Sequence, residues 1–239
     1  MTTVVSHRTG RHQARVTTRS EVPADSPETR RRPRRMAPHE RRDDLIRTAL
    51  RVFARRPPGD VTPEDVAEEA DVSRALVYRY FPNMAELRRA ALEQATAELL
   101  PRLAPAGDLP PLEQLRVPLR TFVSFAEAYA PSYRALLRGG SVIATEETEA
   151  EIDRVRDRVR TMILDRVGID DPSPRVLLAL RCWTASVETA VLVWLEERPM
   201  PLEDLADLLL DQLVAMVAAC GAPDGDRART ALLAGNGAD

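Results

Sequence analysis

The 239 residues contain no lysine, only three histidines, two cysteines and 4% aromatics, and each scarcity removes a class of chemistry. His7, His12 and His39 all fall near the N-terminus, so imidazole can supply neither a general base nor a metal site to the rest of the chain. Cys182 and Cys220 sit in separate apolar stretches without CxxC spacing, which reads as two reduced core residues rather than a disulfide or a metal pair. There is no Gly-rich phosphate loop and no nucleophile with an obvious base beside it. The expectation is a protein that is not an enzyme and needs no cofactor or metal. No uninterrupted run of about 18 apolar residues occurs, and no apolar segment of a signal peptide follows the Arg-rich start, so neither membrane spanning nor export is expected. A cytoplasmic location follows from that expectation.

What is present is arginine, and it is unevenly placed. Residues 1–42 hold 11 arginines against 4 acids, residues 43–90 hold 8 against 9, and the remainder is acidic. The formal net charge of -3 therefore conceals a basic front end. Arginine grips phosphate as a two-pronged fork, which a lysine cannot do. Residues 1–40 lack aromatics and apolar periodicity and carry Pro23, Pro27, Pro33 and Pro38, the composition of a disordered basic tail. Two readings of that tail stand: an arm that grasps DNA, or sequence upstream of a true start at Met36.

Apolar residues recur at steps of three and four from Arg41 to Arg56, the stripe of an amphipathic helix, until Pro57, Pro58 and Gly59 end it. Thr62, Pro63, Glu64 and Asp65 then read as a cap, a first-turn proline and an acidic first turn. Ser73 can cap a further short helix that Pro82 stops. Longer helices are predicted over 83–104, 111–130, 132–138, 146–167, 174–197 and 201–219, with Pro and Gly between them. Strand signals are absent. The prediction is an all-α chain: a helix-turn-helix unit over 41–90, a helical domain over 91–220, and a flexible polar tail over 221–239.

The stretch DVSRALVYRYFPN, Asp71 to Asn83, holds three of the chain's few aromatics beside two arginines. With Val77 at the centre of the buried face, steps of 100° per residue put Tyr80 and Phe81 beside it. Ala75, Tyr78 and Arg79 then point outward, and Arg74 leads the helix. A small residue with tyrosine and arginine on an exposed helix suits the major groove of DNA, where arginine forks onto guanine. With TPEDVAEEADVS before it and PNMAELRRAAL after it, the stretch resembles the N-terminal domain of the TetR family of bacterial transcriptional regulators. That resemblance implies phosphate contacts from Thr62 and Ser73, backbone contacts from Tyr78 and Tyr80, and base contacts from Arg74, Ala75, Leu76 and Arg79. It also marks two departures: Asp71 stands where the family commonly has a turn glycine, and Met84 where it has a lysine.

Val176 to Leu195 is apolar nearly all round and rich in small residues, and the helix from Leu202 is strongly apolar too. Two such helices must bury more than their own domain offers. The resemblance implies a homodimer through these last two long helices, a palindromic DNA operator, and a small-molecule effector among the middle helices. Phe122, Phe125, Tyr129, Tyr133 and Trp183 are the candidate effector residues, each of which can equally be core. Glu188, a carboxylate on an apolar helix, is the sixth candidate effector residue and requires Arg181, a hydroxyl or a ligand to justify burial, with Arg181 or the dimer mate the expected partner. The acidic-then-basic run from Thr145 reads as a solvated helix in accord with its macrodipole. The function expected is a ligand-released repressor. A helical ligand-binding or scaffold protein that has lost operator binding is the alternative.

Overall fold

A computed structural model describes residues 36–104, 107, 109–137 and 145–234. The basic stretch 1–35 lies outside the described residues, so the expected disorder there has no structural counterpart. Among the described residues all regular structure is helical: α1 (Pro38–Arg55), α2 (Pro63–Glu69), α3 (Arg74–Tyr80), α4 (Met84–Arg102), α5 (Pro111–Ala128), α6 (Ala130–Leu137), α7 (Glu146–Val167), α8 (Pro174–Glu197), α9 (Leu202–Ala218) and α10 (Asp224–Leu233). A single 3-10 turn, Pro58–Asp60, joins α1 to α2.

Helix α1 begins at Pro38, earlier than its apolar stripe, because proline needs no amide partner in the first turn and Glu40 accepts the Ala37 N–H at 2.8 Å. At α2, Thr62 and Asp65 cap each other: Thr62 N–H donates to Asp65 Oδ2 at 2.7 Å, and Asp65 N–H donates to Thr62 Oγ1 at 3.3 Å. Ser73 Oγ accepts the Leu76 N–H at 3.3 Å and starts α3. Asp71 occupies the turn between α2 and α3 at φ 51°, the left-handed conformation glycine adopts without cost and aspartate tolerates better than most residues.

Two apolar cores result. The first unites α1, α2 and α3 with the N-terminal half of α4 through Leu45, Ile46, Phe53, Val66, Val77, Phe81 and Leu87. The second lies among α5, α7, α8, α9 and α10, with Leu119, Val123, Ile163, Trp183 and Leu209 inside it. Helix α4 touches both sides, packing on α1 at one end and on α7 and α5 further along.

Three expectations need correction. The segment after Gly221 is not all tail, because Asp224–Leu233 is helical and buries Ala228 and Leu232 completely. Gly225 permits that docking, since a Cβ there would lie 2.8 Å from the Val217 carbonyl oxygen. Helix α7 is not simply solvated: Met162 and Ile163 are core, and the Glu151 carboxylate is buried, accepting a hydrogen bond from Thr96 Oγ1 at 2.6 Å. Counting uninterrupted apolar residues also understates α8, which contains an 18-residue window of mean hydropathy 1.6, long and apolar enough by composition to cross a membrane. Arg181 and Glu188 break the run without much lowering its average.

Asp65 generates a pH-dependent contribution. Hydrogen bonds from the Thr62 amide, the Thr62 hydroxyl and Arg56 pull its carboxyl down from 3.8 to about 2. A lowered folded-state value favours the folded chain above the unfolded value, and that contribution is lost as pH falls from 3.8 through about 2. Thr62→Ala is expected to cost about 1 kcal/mol near neutral pH. In urea titrations, the stability gap between the native chain and Asp65→Asn should close across that acid interval.

Candidate reading helix and buried cavity

The short helix α3 presents the face anticipated for it. Val77 is 1% exposed, Tyr78 is 39% exposed, and Ala75 and Arg79 are exposed with it. Leu76 is half-buried, and Tyr80 packs partly against the first core. Thr62 and Ser73 sit at the N-termini of α2 and α3, but their hydroxyls differ in what they have left to offer. Thr62 Oγ1 already donates its proton to Asp65 Oδ2 at 2.7 Å. Ser73 Oγ only accepts, so its proton remains available to an incoming acceptor.

The two arginines of α3 are also unlike. Arg74 forms an ion pair with Glu64, reaches Tyr78 Oη at 3.3 Å, and lies 5.2 Å over the Tyr78 ring. Arg79 lies 5.8 Å over the Tyr80 ring and has no acidic partner among the described residues. No sequence signal pointed to Glu64, whose position ten residues upstream becomes adjacent only through the turn. Met84, at the start of α4, packs against the first core, so the position where the resemblance implies a lysine turns inward here.

A second site lies against the second core. Residues from α4 to α8 line a partly open cavity of about 130 Å³, far above the roughly 10–15 Å³ a single water needs. Phe122, Phe125, Tyr133, Trp183 and Glu188 all line it, together with leucines from α4 and α5 and with Val155, Arg156 and Val159 of α7. Tyr129 does not. It caps the end of α5, lies tilted against Phe125 with ring centroids 4.9 Å apart, and packs toward the first core. Trp183 spends its indole N–H on the Leu209 carbonyl at 2.7 Å, leaving only its ring to the cavity.

Glu188 finds its partner in Arg156 rather than in Arg181. Arg156 Nε and Nη2 donate to its two carboxylate oxygens at 2.8 Å each, a two-pronged pair across α7 and α8. That pairing holds the Arg156 guanidinium charged, its pKa raised above the ordinary value. The Tyr133 hydroxyl donates to the Glu188 backbone carbonyl at 3.4 Å, and burial keeps this phenol protonated, its pKa raised. The cavity is thus apolar walls around a self-neutralised ion pair. Among the described residues no group of three or more His, Cys, Asp or Glu could hold a metal ion.

Similarity to known proteins agrees with this geometry at both ends of the chain. The family described as "Bacterial regulatory proteins, tetR family" matches residues 45–91, and the "Tetracyclin repressor-like, C-terminal domain" matches residues 111–216. A TetR-family transcriptional regulator from Streptomyces coelicolor, known as a crystal structure, is 32% identical with a TM-score of 0.78, covering 82% of this chain and 90% of its own. The chain belongs to the TetR family of transcriptional regulators. An uncharacterized HTH-type transcriptional regulator of Mycobacterium tuberculosis is 26% identical over 211 residues, 84% of this chain and 87% of that one. The regulator FadR of Bacillus subtilis, solved with stearoyl-CoA, shares the fold at 16% identity and a TM-score of 0.60, covering 73% of this chain and 98% of FadR. In this TetR-family chain, α3 lies within the N-terminal match, residues 45–91, and most of the cavity lining lies within the C-terminal match, residues 111–216.

The Arg156 and Glu188 pair is open to a direct test. Removing one partner from this partly buried pair leaves the other charge less well compensated, whereas removing both does not. Arg156→Met is expected to destabilise the chain by about 1–2 kcal/mol, between the exposed and the fully buried cases, and Arg156→Met with Glu188→Met should recover most of that deficit, as read by a double-mutant cycle in urea.

Proposed function

We propose that this protein is a dimeric repressor that binds a palindromic operator in the cytoplasm and is released by a small, mostly apolar, uncharged effector. The observation that carries the reading is on α6, where neighbouring residues face both sites. Ser132 Oγ donates to the Phe53 carbonyl of α1 at 2.9 Å, and Tyr133 beside it lines the cavity. Arg134 Nη2 donates to the Leu195 carbonyl near the end of α8 at 2.7 Å. A ligand that displaces Tyr133 therefore moves the residue bonded to the DNA-reading unit. Allostery needs such a differential contact in two states, not mere proximity.

The cavity lining supports an apolar effector, because any added charge would compete with a pair that already satisfies itself. FadR, solved with stearoyl-CoA, binds a ligand with a long apolar acyl chain, although its CoA end is highly charged. Dimerisation is supported by what α8 and α9 leave uncovered. Leu178 (62% exposed), Cys182, Ala185, Thr189 and Val193 run along one side of α8, and Leu208 and Ala215 along one side of α9. Small residues between large ones allow close helix approach, and a symmetric pair would present two reading helices to two half-sites. DNA contacts are assigned to Ser73, Arg74, Ala75, Leu76, Tyr78 and Arg79. Thr62 and Tyr80 act mainly by fixing the ends of their helices. Repression of this kind requires no enzymatic step.

Arg79→Ala and Tyr78→Ala should each weaken binding to a selected operator by about 1–3 kcal/mol without loss of helicity. Unchanged footprints in both would refute α3 as the reading element. No DNA retained by the native chain in a genomic selection would instead favour a ligand-binding protein without an operator. Ser132→Ala should leave operator affinity nearly unchanged but reduce the effector's ability to release DNA. Equal effector response in the variant would show that coupling runs elsewhere.

A further inference from the structure

Among the described residues lining the cavity, the polar groups are almost all engaged with one another or with the backbone. Arg156 donates from Nε and Nη2 to Glu188 at 2.8 Å each and from Nη1 to Asp153 at 2.9 Å. Thr96 gives its hydroxyl proton to Glu151 at 2.6 Å, Thr184 to the Arg181 carbonyl at 2.9 Å, and Trp183 its indole proton to the Leu209 carbonyl at 2.7 Å. Tyr133 is the exception. Its hydroxyl reaches the Glu188 carbonyl only at 3.4 Å, beyond the roughly 2.5–3.0 Å of a normal O–H···O bond. A buried donor with so weak a partner forgoes most of the stabilisation that a full hydrogen bond supplies.

That donor is fixed in place and in protonation state. The Tyr133 ring meets Phe122 edge-on, at 70° with centroids 6.0 Å apart, and both side chains line the cavity. Burial, with the Glu188 carboxylate nearby, keeps the phenol protonated, so across the neutral range it is a donor. The hydroxyl stands at the charged end of the cavity, because the carbonyl it approaches belongs to the residue that Arg156 grips. A ligand bringing its own proton to this end would give it to the Glu188 carboxylate, in competition with Arg156. An oxygen that only accepts makes no such demand. At about 130 Å³ the cavity is close to the roughly 150 Å³ of an apolar protein cavity that admits benzene, so it takes a body of about one ring.

Building on the apolar-effector reading above, we propose that Tyr133 is the recognition donor of the cavity and that the effector is a small ketone, ester or lactone, an apolar body whose carbonyl oxygen accepts the Tyr133 O–H. The ligand carbonyl takes over a proton that α6 otherwise offers to the α8 backbone. Recognition and the displacement of α6 then turn on the same hydrogen bond.

The experiment measures binding of acetophenone and α-methylstyrene to the full-length protein by calorimetry, without DNA. The two probes have nearly the same shape and differ by C=O against C=CH2. Each probe is compared with itself across variants, which cancels the difference in their hydration. Tyr133→Phe should weaken acetophenone by about three- to tenfold, the worth of one neutral hydrogen bond, and leave α-methylstyrene unchanged. Thr184→Val, which removes a hydroxyl whose proton is already engaged, should affect the two probes alike. An equal change for both probes in Tyr133→Phe, including loss of both, would overturn the assignment and leave Tyr133 a packing residue. A loss confined to acetophenone in Thr184→Val would overturn it too, by placing the donor elsewhere. Failure of the native chain to bind either probe would refute the apolar-effector reading itself, a result distinguishable from equal changes.

Discussion

The hydrogen bond from Ser132 Oγ to the Phe53 carbonyl, at 2.9 Å, ties α6 to the end of α1, whose Phe53 side chain is part of the first core. Its acceptor is a main-chain oxygen near the C-terminus of α1, where the last helical carbonyls lack amide partners within the helix. The donor sits on α6, an eight-residue helix with no fully buried side chain. A helix whose side chains are all only partly buried can shift without dismantling either core. The two cores are each too well packed to deform gradually, so rigid-body displacement of a small element is the inexpensive motion. Arg134, bonded to the Leu195 carbonyl, sets the other end of that displacement at the last turn of α8.

Electrostatics on the reading side obey a different constraint. Arginine is the only strong cation available to this chain, and its forks find carboxylates as readily as phosphates. The acids that cap α2 and line its first turn stabilise the fold at their own helix terminus, yet they occupy Arg56 and Arg74 in doing so. Stability and phosphate affinity are thus in competition at the same side chains. Ion pairs this exposed contribute little to folding, roughly 0–1 kcal/mol each, so DNA can displace them at small cost. On the proposed reading, Arg74 is held in place by Glu64 and Tyr78 until a base or phosphate outcompetes them, whereas Arg79 is available from the outset.

The helix-turn-helix unit is legible in the sequence because its signals are local. Thr62 with Asp65, Ser73 with Pro82, and the spacing of Val77 and Phe81 all act within one or two turns, and each lies where expected. The starts of α7 and α8 are equally legible, set by Thr145 as a cap and Pro174 in a first turn. Contacts between distant segments are not. Arg156 and Glu188 are 32 residues apart, and nothing in α8 favours Arg156 over Arg181 until α7 is docked. The same holds for Thr96 with Glu151, whose buried hydrogen bond spans 55 residues. Helix α10 carries little signal because its buried apolar side chains are only Ala228 and Leu232 in a polar, Gly-rich setting. Tyr129 lies close to the cavity aromatics in sequence, but its place at the very end of α5 turns it toward the first core.

On the proposed reading, the cavity's own energetics decide how selectivity and switching divide between its walls and its ion pair. Driving a two-state equilibrium from 1:99 to 99:1 takes about 5.5 kcal/mol of preference for one state. An effector that buries roughly 200 Å² of apolar surface gains about 5 kcal/mol, so apolar contact alone reaches the right magnitude. That gain counts toward switching only where the walls differ between the two states, and Tyr133 and the leucines of α6 are the walls that ride on the movable helix. Apolar walls discriminate poorly, since one methylene more or less is worth only about 1–3 kcal/mol. Selectivity therefore falls to Arg156 and Glu188, which penalise any ligand that separates them without replacing both hydrogen bonds. A neutral effector that leaves the pair intact meets no such penalty, and the walls on α6 can then convert its burial into motion.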